Sequence, residues 1–342
     1  GMVPFWFLPY AIATGNTYVV KPSEQVPLTM QLMGQLMDQC GFPEGVINLV
    51  NGDKVAGQAL LDHPDVVGIS SVGSSGTARH VAKTCGSRGI RFQALGGAKN
   101  HLVAMPDAVF EPMIGNMITS CFGCAGQRCM ASSVLVGVGD EMYRRVVEGF
   151  TAATKNVIVA DPVDPNVAEE AMVMGPVVSA PAKERILDYI QKGVDEGAEL
   201  VLDGRGIEPP NGCEEGYFIG PTVFAGVKPG MEIHKTEIFG PVVCIMKAES
   251  LDEAIGYINH HEFGNGGSIY TQDGYAARKF KLEAVVGMGG INIGVPAPVA
   301  ALPFGGMRGS FFSDVKAKGK AVIDFFTDKK IVTERYWNPG NV

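Results

Sequence analysis

Short β-rich runs and helical segments closed by glycine alternate along the first hundred residues, and this rhythm leaves few folds open. Residues 17–20 read as a strand, 28–40 as a helix stopped at Gly41, and 46–50 as a strand ending at Asn51-Gly52. Residues 55–61 read as a helix and 66–72 as a strand. Residues 73–84 then enter a helix with Ser74 as N-cap. Strands that alternate with helices in this way imply a parallel sheet covered on both faces, whose usual ligand is a nucleotide at the strand ends. The second half repeats the pattern with a strand at 134–138, helices at 141–157 and 182–196, and an apolar strand at 242–246. Loops are expected at 161–166 and 204–216. A chain of 342 residues with 46% hydrophobic content buries enough surface for two domains. The expected fold class is therefore α/β, with two doubly wound units. We place one unit at 1–98, a second at 99–312, and a return segment at 313–342.

Net charge of −8 and the lack of a basic run argue against nucleic acid as a partner. Seven irregularly spaced cysteines do not form a secreted disulfide framework, and a cytoplasmic, reducing location is expected. Residues 2–20 are apolar but lack a basic leader, carry Pro4 and Pro9, and include Asn16 and Thr17. They read as a buried core segment rather than a signal or a membrane span, so no membrane partner is expected. An apolar stretch at a first residue is unusual, because termini are normally exposed. The expectation is a domain lacking its N-terminal part.

The chemistry concentrates in Phe122-Gly-Cys-Ala-Gly-Gln-Arg-Cys-Met-Ala131. The segment 112–122 has apolar residues at helical spacing and Gly123 and Gly126 break it, so Cys129 falls in a loop after a helix, beside Arg128. A cation next to a cysteine favours the thiolate, which attacks carbonyls. Cys121, Cys124 and Cys129 also allow a metal or redox cluster, and a buried inert cysteine is a further reading. There is no G-x-G-x-x-G fingerprint. Instead Lys21-Pro22-Ser23-Glu24 follows one strand and Val72-Gly73-Ser74-Ser75-Gly76 follows another. A carboxylate at Glu24 suits ribose hydroxyls, and a helix N-terminus at Ser74 suits a pyrophosphate. A solvated turn and a plain loop explain the same residues.

Together, Lys21-Pro-Ser-Glu24, Gly73-Ser74, Gly126-Gln-Arg-Cys129, Glu237-Ile-Phe-Gly-Pro241 and Pro303-Phe304 resemble the aldehyde dehydrogenase superfamily in order and spacing. Ala94-Leu-Gly-Gly-Ala-Lys-Asn-His101, Gly126 to Ala131 and Gly309-Ser-Phe-Phe312 resemble its CoA-acylating methylmalonate (malonate) semialdehyde dehydrogenase branch. The resemblance implies Cys129 as nucleophile toward a small aldehyde, with NAD as hydride acceptor. It implies Lys21, Ser23 and Glu24 at the adenosine ribose, Gly73 and Ser74 at the pyrophosphate, and Glu237 and Phe239 at the nicotinamide riboside.

Leu95 is counted with these cofactor-facing residues and marks a departure, because hydrolytic members carry a glutamate before Leu-Gly-Gly. A leucine takes no proton, so the thioester is expected to pass to a thiol, coenzyme A, rather than to water. Arg128 is a candidate for the substrate carboxylate, for a structural ion pair, or for lowering the Cys129 pKa. No metal ligand set is expected. The family's oxyanion asparagine precedes the start of this chain, which makes an impaired homologue one alternative; a hydrolytic enzyme, disfavoured by the absent base, is another. Residues 329–336 resemble the strand that joins a neighbouring subunit's sheet, implying a homodimer or homotetramer.

Overall fold

The structure is a computed structural model that describes residues 1–167, 172–337 and 340. Its centre is a seven-stranded sheet. In spatial order the strands are Met288–Ile291, Gly266–Tyr270, Asn100–Ala104, Ser132–Val138, Val242–Ala248, Thr222–Ala225 and Glu199–Leu202. Every neighbouring pair is parallel except the last, where Glu199–Leu202 runs antiparallel at the edge. Asn100–Ala104 is buried at every position, and Ser132–Val138 and Val242–Ala248 nearly so. Strands covered on both faces show such runs, where half-solvated ones alternate. Helices Phe110–Phe122 and Asp140–Thr154 pack on this sheet, with Phe122 stacked on Phe150 at 5.7 Å between ring centroids. The second helix starts one residue earlier and stops three earlier than the pattern predicts.

The first hundred residues keep the expected alternation but not one continuous sheet. Tyr18–Val20 pairs in parallel with Ile47–Leu49. Gly68–Val72 pairs in parallel with Arg91–Leu95, and Phe311–Phe312 closes that sheet antiparallel on the far side of Arg91–Leu95. Residues more than two hundred positions apart thus share one sheet, which no local pattern reports. Ser74 caps helix Ser75–Arg88 as read, its Oγ accepting from the Thr77 amide at 3.3 Å. Residues 2–20 are buried only in part: Trp6, Phe7, Leu8, Ala11 and Val20 are buried, while Met2 and Val19 are exposed. Among the described residues no helix is long and apolar enough to cross a membrane.

The strand expected at 329–336 is not formed within the single chain. Strands exist by hydrogen bonding to a neighbour, and no such ladder is made there; Ile331 and Tyr336 are exposed. Residues 338, 339, 341 and 342, the end of the return segment, lie outside the described residues.

Candidate active site

Helix Phe110–Phe122 ends on a single turn of 3-10 helix, Gly123–Gly126, in which Cys124, Ala125 and Gly126 all take left-handed φ, at 53°, 53° and 70°. Left-handed backbone costs roughly 1–2 kcal/mol at a residue with a Cβ. Two such residues in succession therefore need support from outside the loop. Gly126 provides it by close approach, since a Cβ there would fall 2.3 Å from the carbonyl oxygen of Gly240. The turn thereby presses against the Glu237–Pro241 segment. Gly126→Ala combines this backbone clash with an unfavourable φ, and a loss of roughly 3 kcal/mol or more in urea unfolding is expected, with activity falling in step.

Cys129 follows in a turn, half-buried. Its carbonyl oxygen accepts from the side-chain amides of Asn100 and Asn265, each at 2.8 Å. Both asparagines are buried, and Asn100 is fully used: it also donates to the Ala131 carbonyl at 2.8 Å and accepts from the Gly266 amide at 2.9 Å. The first residue of strand Asn100–Ala104 and the residue just before strand Gly266–Tyr270 thus fix the cysteine's backbone. Buried groups lose roughly 1–3 kcal/mol when a partner is removed, so Asn100→Ala, which orphans the Ala131 carbonyl and the Gly266 amide, is expected to lower the urea midpoint and slow Cys129 alkylation.

The thiolate expected from the sequence is not what the site supplies. Burial, and next the negative charge of Glu237, push the Cys129 thiol up to about 11, against the opposing pull of the Cys129 and Met130 amides and of Lys318. Arg128 does not offset this: its side chain folds back over Gly123, and its Nε donates to Cys124 Sγ at 3.1 Å. Sequence adjacency set the two groups side by side, but the backbone turn sends the guanidinium the other way.

Glu237 holds the middle of the site. Its carboxyl is raised by burial, and the Ala98 amide, Lys99 and Arg185 pull it down. Gly97 leaves room for it, since a Cβ there would lie 2.5 Å from Glu237 Oε2 and 2.6 Å from Ser75 Oγ. Ser74, Ser75, Gly76, Lys235, Thr236, Glu237, Glu262 and Phe263 line one open groove. Arg128, Glu237 and Phe239 line a smaller cavity against the cysteine loop. Phe239 itself takes φ 55° and stays partly exposed.

Lys21, Ser23 and Glu24 stand apart from both. The Lys21 ammonium donates to the carbonyls of Pro22 and Gly52 at 2.7 and 2.8 Å, with Glu24 at 4.0 Å, and Ser23 Oγ accepts from the Gln25 amide. Gly73 donates its amide to the Leu95 carbonyl, joining the two strand ends. Leu95 is buried among Trp6, Phe7 and Met130. The residue directly before Leu95-Gly96-Gly97 is Ala94, wholly buried, so the departure attributed to Leu95 belongs to Ala94. The chemical point survives the correction, for alanine takes no proton either. Sequence reading missed the role of Asn100 within its motif, and missed Asn265 altogether. An asparagine between glycines in Gly264-Asn265-Gly266-Gly267 was its available signal.

The model of the aldehyde dehydrogenase family matches residues 1–332. Malonate-semialdehyde dehydrogenase 3 of Geobacillus kaustophilus (strain HTA426) is 45% identical over 338 residues, which are 98% of this chain and 68% of that protein. The crystal structure of methylmalonate-semialdehyde dehydrogenase from Oceanimonas doudoroffii superposes with a TM-score of 0.95 at 41% identity, covering 99% of this chain and 68% of that one. That of the Mycobacterium tuberculosis aldehyde dehydrogenase complexed with NAD+ superposes with a TM-score of 0.86 at 32% identity, covering 94% and 65%. The chain thus spans about two thirds of the length of these relatives, and over that span it belongs to the aldehyde dehydrogenase family.

Proposed function

We propose that the chain oxidises malonate or methylmalonate semialdehyde through a thioester on Cys129, with NAD as oxidant and coenzyme A as acyl acceptor. The names of its relatives supply the substrate class, and the absence of a proton acceptor at Ala94-Leu95 carries the choice of acceptor. The residues fit NAD. The first amides of helix Ser75–Arg88 open into the groove that Glu237 lines, so an anionic pyrophosphate and ribose hydroxyls would each find their complement. When bound, NAD supplies the hydride acceptor.

The chain's own groups do the rest. Cys129 Sγ adds to the aldehyde carbon, and the Cys129 and Met130 amides bind the oxyanion. After oxidation, a thiol resolves the thioester. For malonate semialdehyde the balance is semialdehyde, CoA and NAD+ giving acetyl-CoA, CO2 and NADH. A hydrolytic reading is favoured by one observation: Glu237, a carboxylate raised by burial, acts electrostatically on Cys129 and is a candidate base for water.

NADH release from malonate semialdehyde decides between them. Sustained turnover is expected only with CoA, and about one equivalent per active site without it. Steady CoA-independent turnover would refute the acylating reading and install Glu237 as the base.

A further inference from the structure

Lys318 is a cation with an unusual address. It takes φ 63°, where a side chain is disfavoured, and both neighbours are pinned: Ala317 exchanges both backbone hydrogen bonds with Phe304, at 2.6 and 2.9 Å, and the Gly319 amide donates to the Ala300 carbonyl at 3.2 Å. The strained conformation aims the ammonium over the rings of Trp6 and Phe304, at 4.7 and 5.1 Å from their centroids. Those two buried rings lie 4.4 Å apart and belong, with Met130, to the apolar cluster against which Cys129 packs. Lys316, two residues earlier, is spent on the Gly306 carbonyl and the Phe311 ring. Among the described residues Lys318 has no such acceptor, and no carboxylate lies within 4 Å of it.

We propose that Lys318 receives the distal carboxylate of a short oxo-acid whose aldehyde carbon reaches Cys129 across the Trp6–Phe304 floor. This rests on the reading of Cys129 as nucleophile and adds the residue that selects acidic aldehydes. An ammonium on an aromatic floor is attracted by the ring faces yet keeps its N–H donors free for an anion. Mutual influence fits this placement: burial lowers the Lys318 pKa while a thiolate at Cys129 raises it, and Lys318 in turn lowers that of Cys129.

The test compares alkylation of Cys129 by iodoacetate and iodoacetamide, followed on the peptide carrying Cys129 by mass spectrometry. In both reactions the sulfur–carbon bond forms as iodide leaves, but only iodoacetate brings a carboxylate. The rate ratio therefore cancels any change in thiol pKa. Lys318→Met is expected to lower the iodoacetate-to-iodoacetamide ratio roughly tenfold or more, the scale of a charge-assisted hydrogen bond. Lys318→Arg should hold it within about threefold of the parent. Lys318→Gln serves if the methionine variant does not fold. An unchanged ratio, or equal slowing of both reagents, overturns the proposal and leaves Lys318 as a staple on two rings. Neither NAD nor CoA is present, so failure of the NADH assay bears on the dehydrogenase reading and failure here bears on Lys318 alone.

Discussion

Cys129→Ala is expected to remove NADH formation, by 10³-fold or more, while leaving the fold in place, because the proposed thioester route leaves that sulfur no substitute. The finer expectation concerns pH. A thiol held near 11 by burial and by Glu237 is only about 10⁻⁴ ionised at pH 7, so alkylation of Cys129 by iodoacetamide should climb about tenfold per pH unit through the neutral range. Glu237→Gln removes the nearby negative charge and lowers that pKa. Alkylation at pH 7.5 should then speed up severalfold. A flat profile in both proteins would mean that the sulfur is already a thiolate. Slower alkylation of Glu237→Gln would make the carboxylate a base for the thiol rather than its repeller.

What the sequence carried and what it did not divide along a physical line. Helix Ser75–Arg88 with its Ser74 cap, the loop position of Cys129 and the strands Ser132–Val138 and Val242–Ala248 are set by residues within a few positions of one another, and local patterns display them. The family itself was legible because its motifs are short contiguous runs. The direction of Arg128 was not, since it depends on three successive left-handed residues, two of which carry a Cβ. The clamp on the Cys129 carbonyl joins the loop to Asn100 and to Asn265, the latter 136 residues away. Phe311–Phe312 closing a sheet with Arg91–Leu95, and Lys318 over Trp6, are likewise long-range contacts that no periodicity encodes. The missing ladder at 329–336 has the same root, for a strand's partner is not written in the strand.

Acid lability is the second large effect, and it follows from three histidines beneath the site. His101, His234 and His261 meet edge to face, with ring centroids 5.1 to 5.7 Å apart, and all are buried. Their hydrogen bonds assign one proton to each ring. The Phe263 amide donates to His261 Nδ1, so His261 Nε2 donates to the His234 carbonyl. His101 Nδ1 donates to the Lys99 carbonyl, leaving its Nε2 to accept from His234 Nε2 at 3.2 Å. A fourth proton has no acceptor in this network. Burial, with repulsion from Lys99, accordingly lowers all three; neighbouring rings add to this at His101 and at His234, which falls to about 3.

The sign follows from the proton count. The folded state keeps the rings neutral while the unfolded chain protonates them below about 6.5, so unfolding takes up protons and stability is lost as pH falls through 6.5 toward 3. Each ring contributes at most about 1.4 kcal/mol per pH unit, and three together about 4. Urea midpoints at pH 7.5, 6.0 and 5.0 should fall steeply, and His234→Gln should remove about one third of the slope. A slope untouched by that change would mean that carboxylates, not this trio, set the acid limit. The trio also links stability to chemistry. His101 neighbours Asn100, which fixes the Cys129 carbonyl, and His234 lies three residues before Glu237. Charging the rings would push apart the strand and the turn that align Cys129 and Glu237, so activity and fold should be lost over the same acid range.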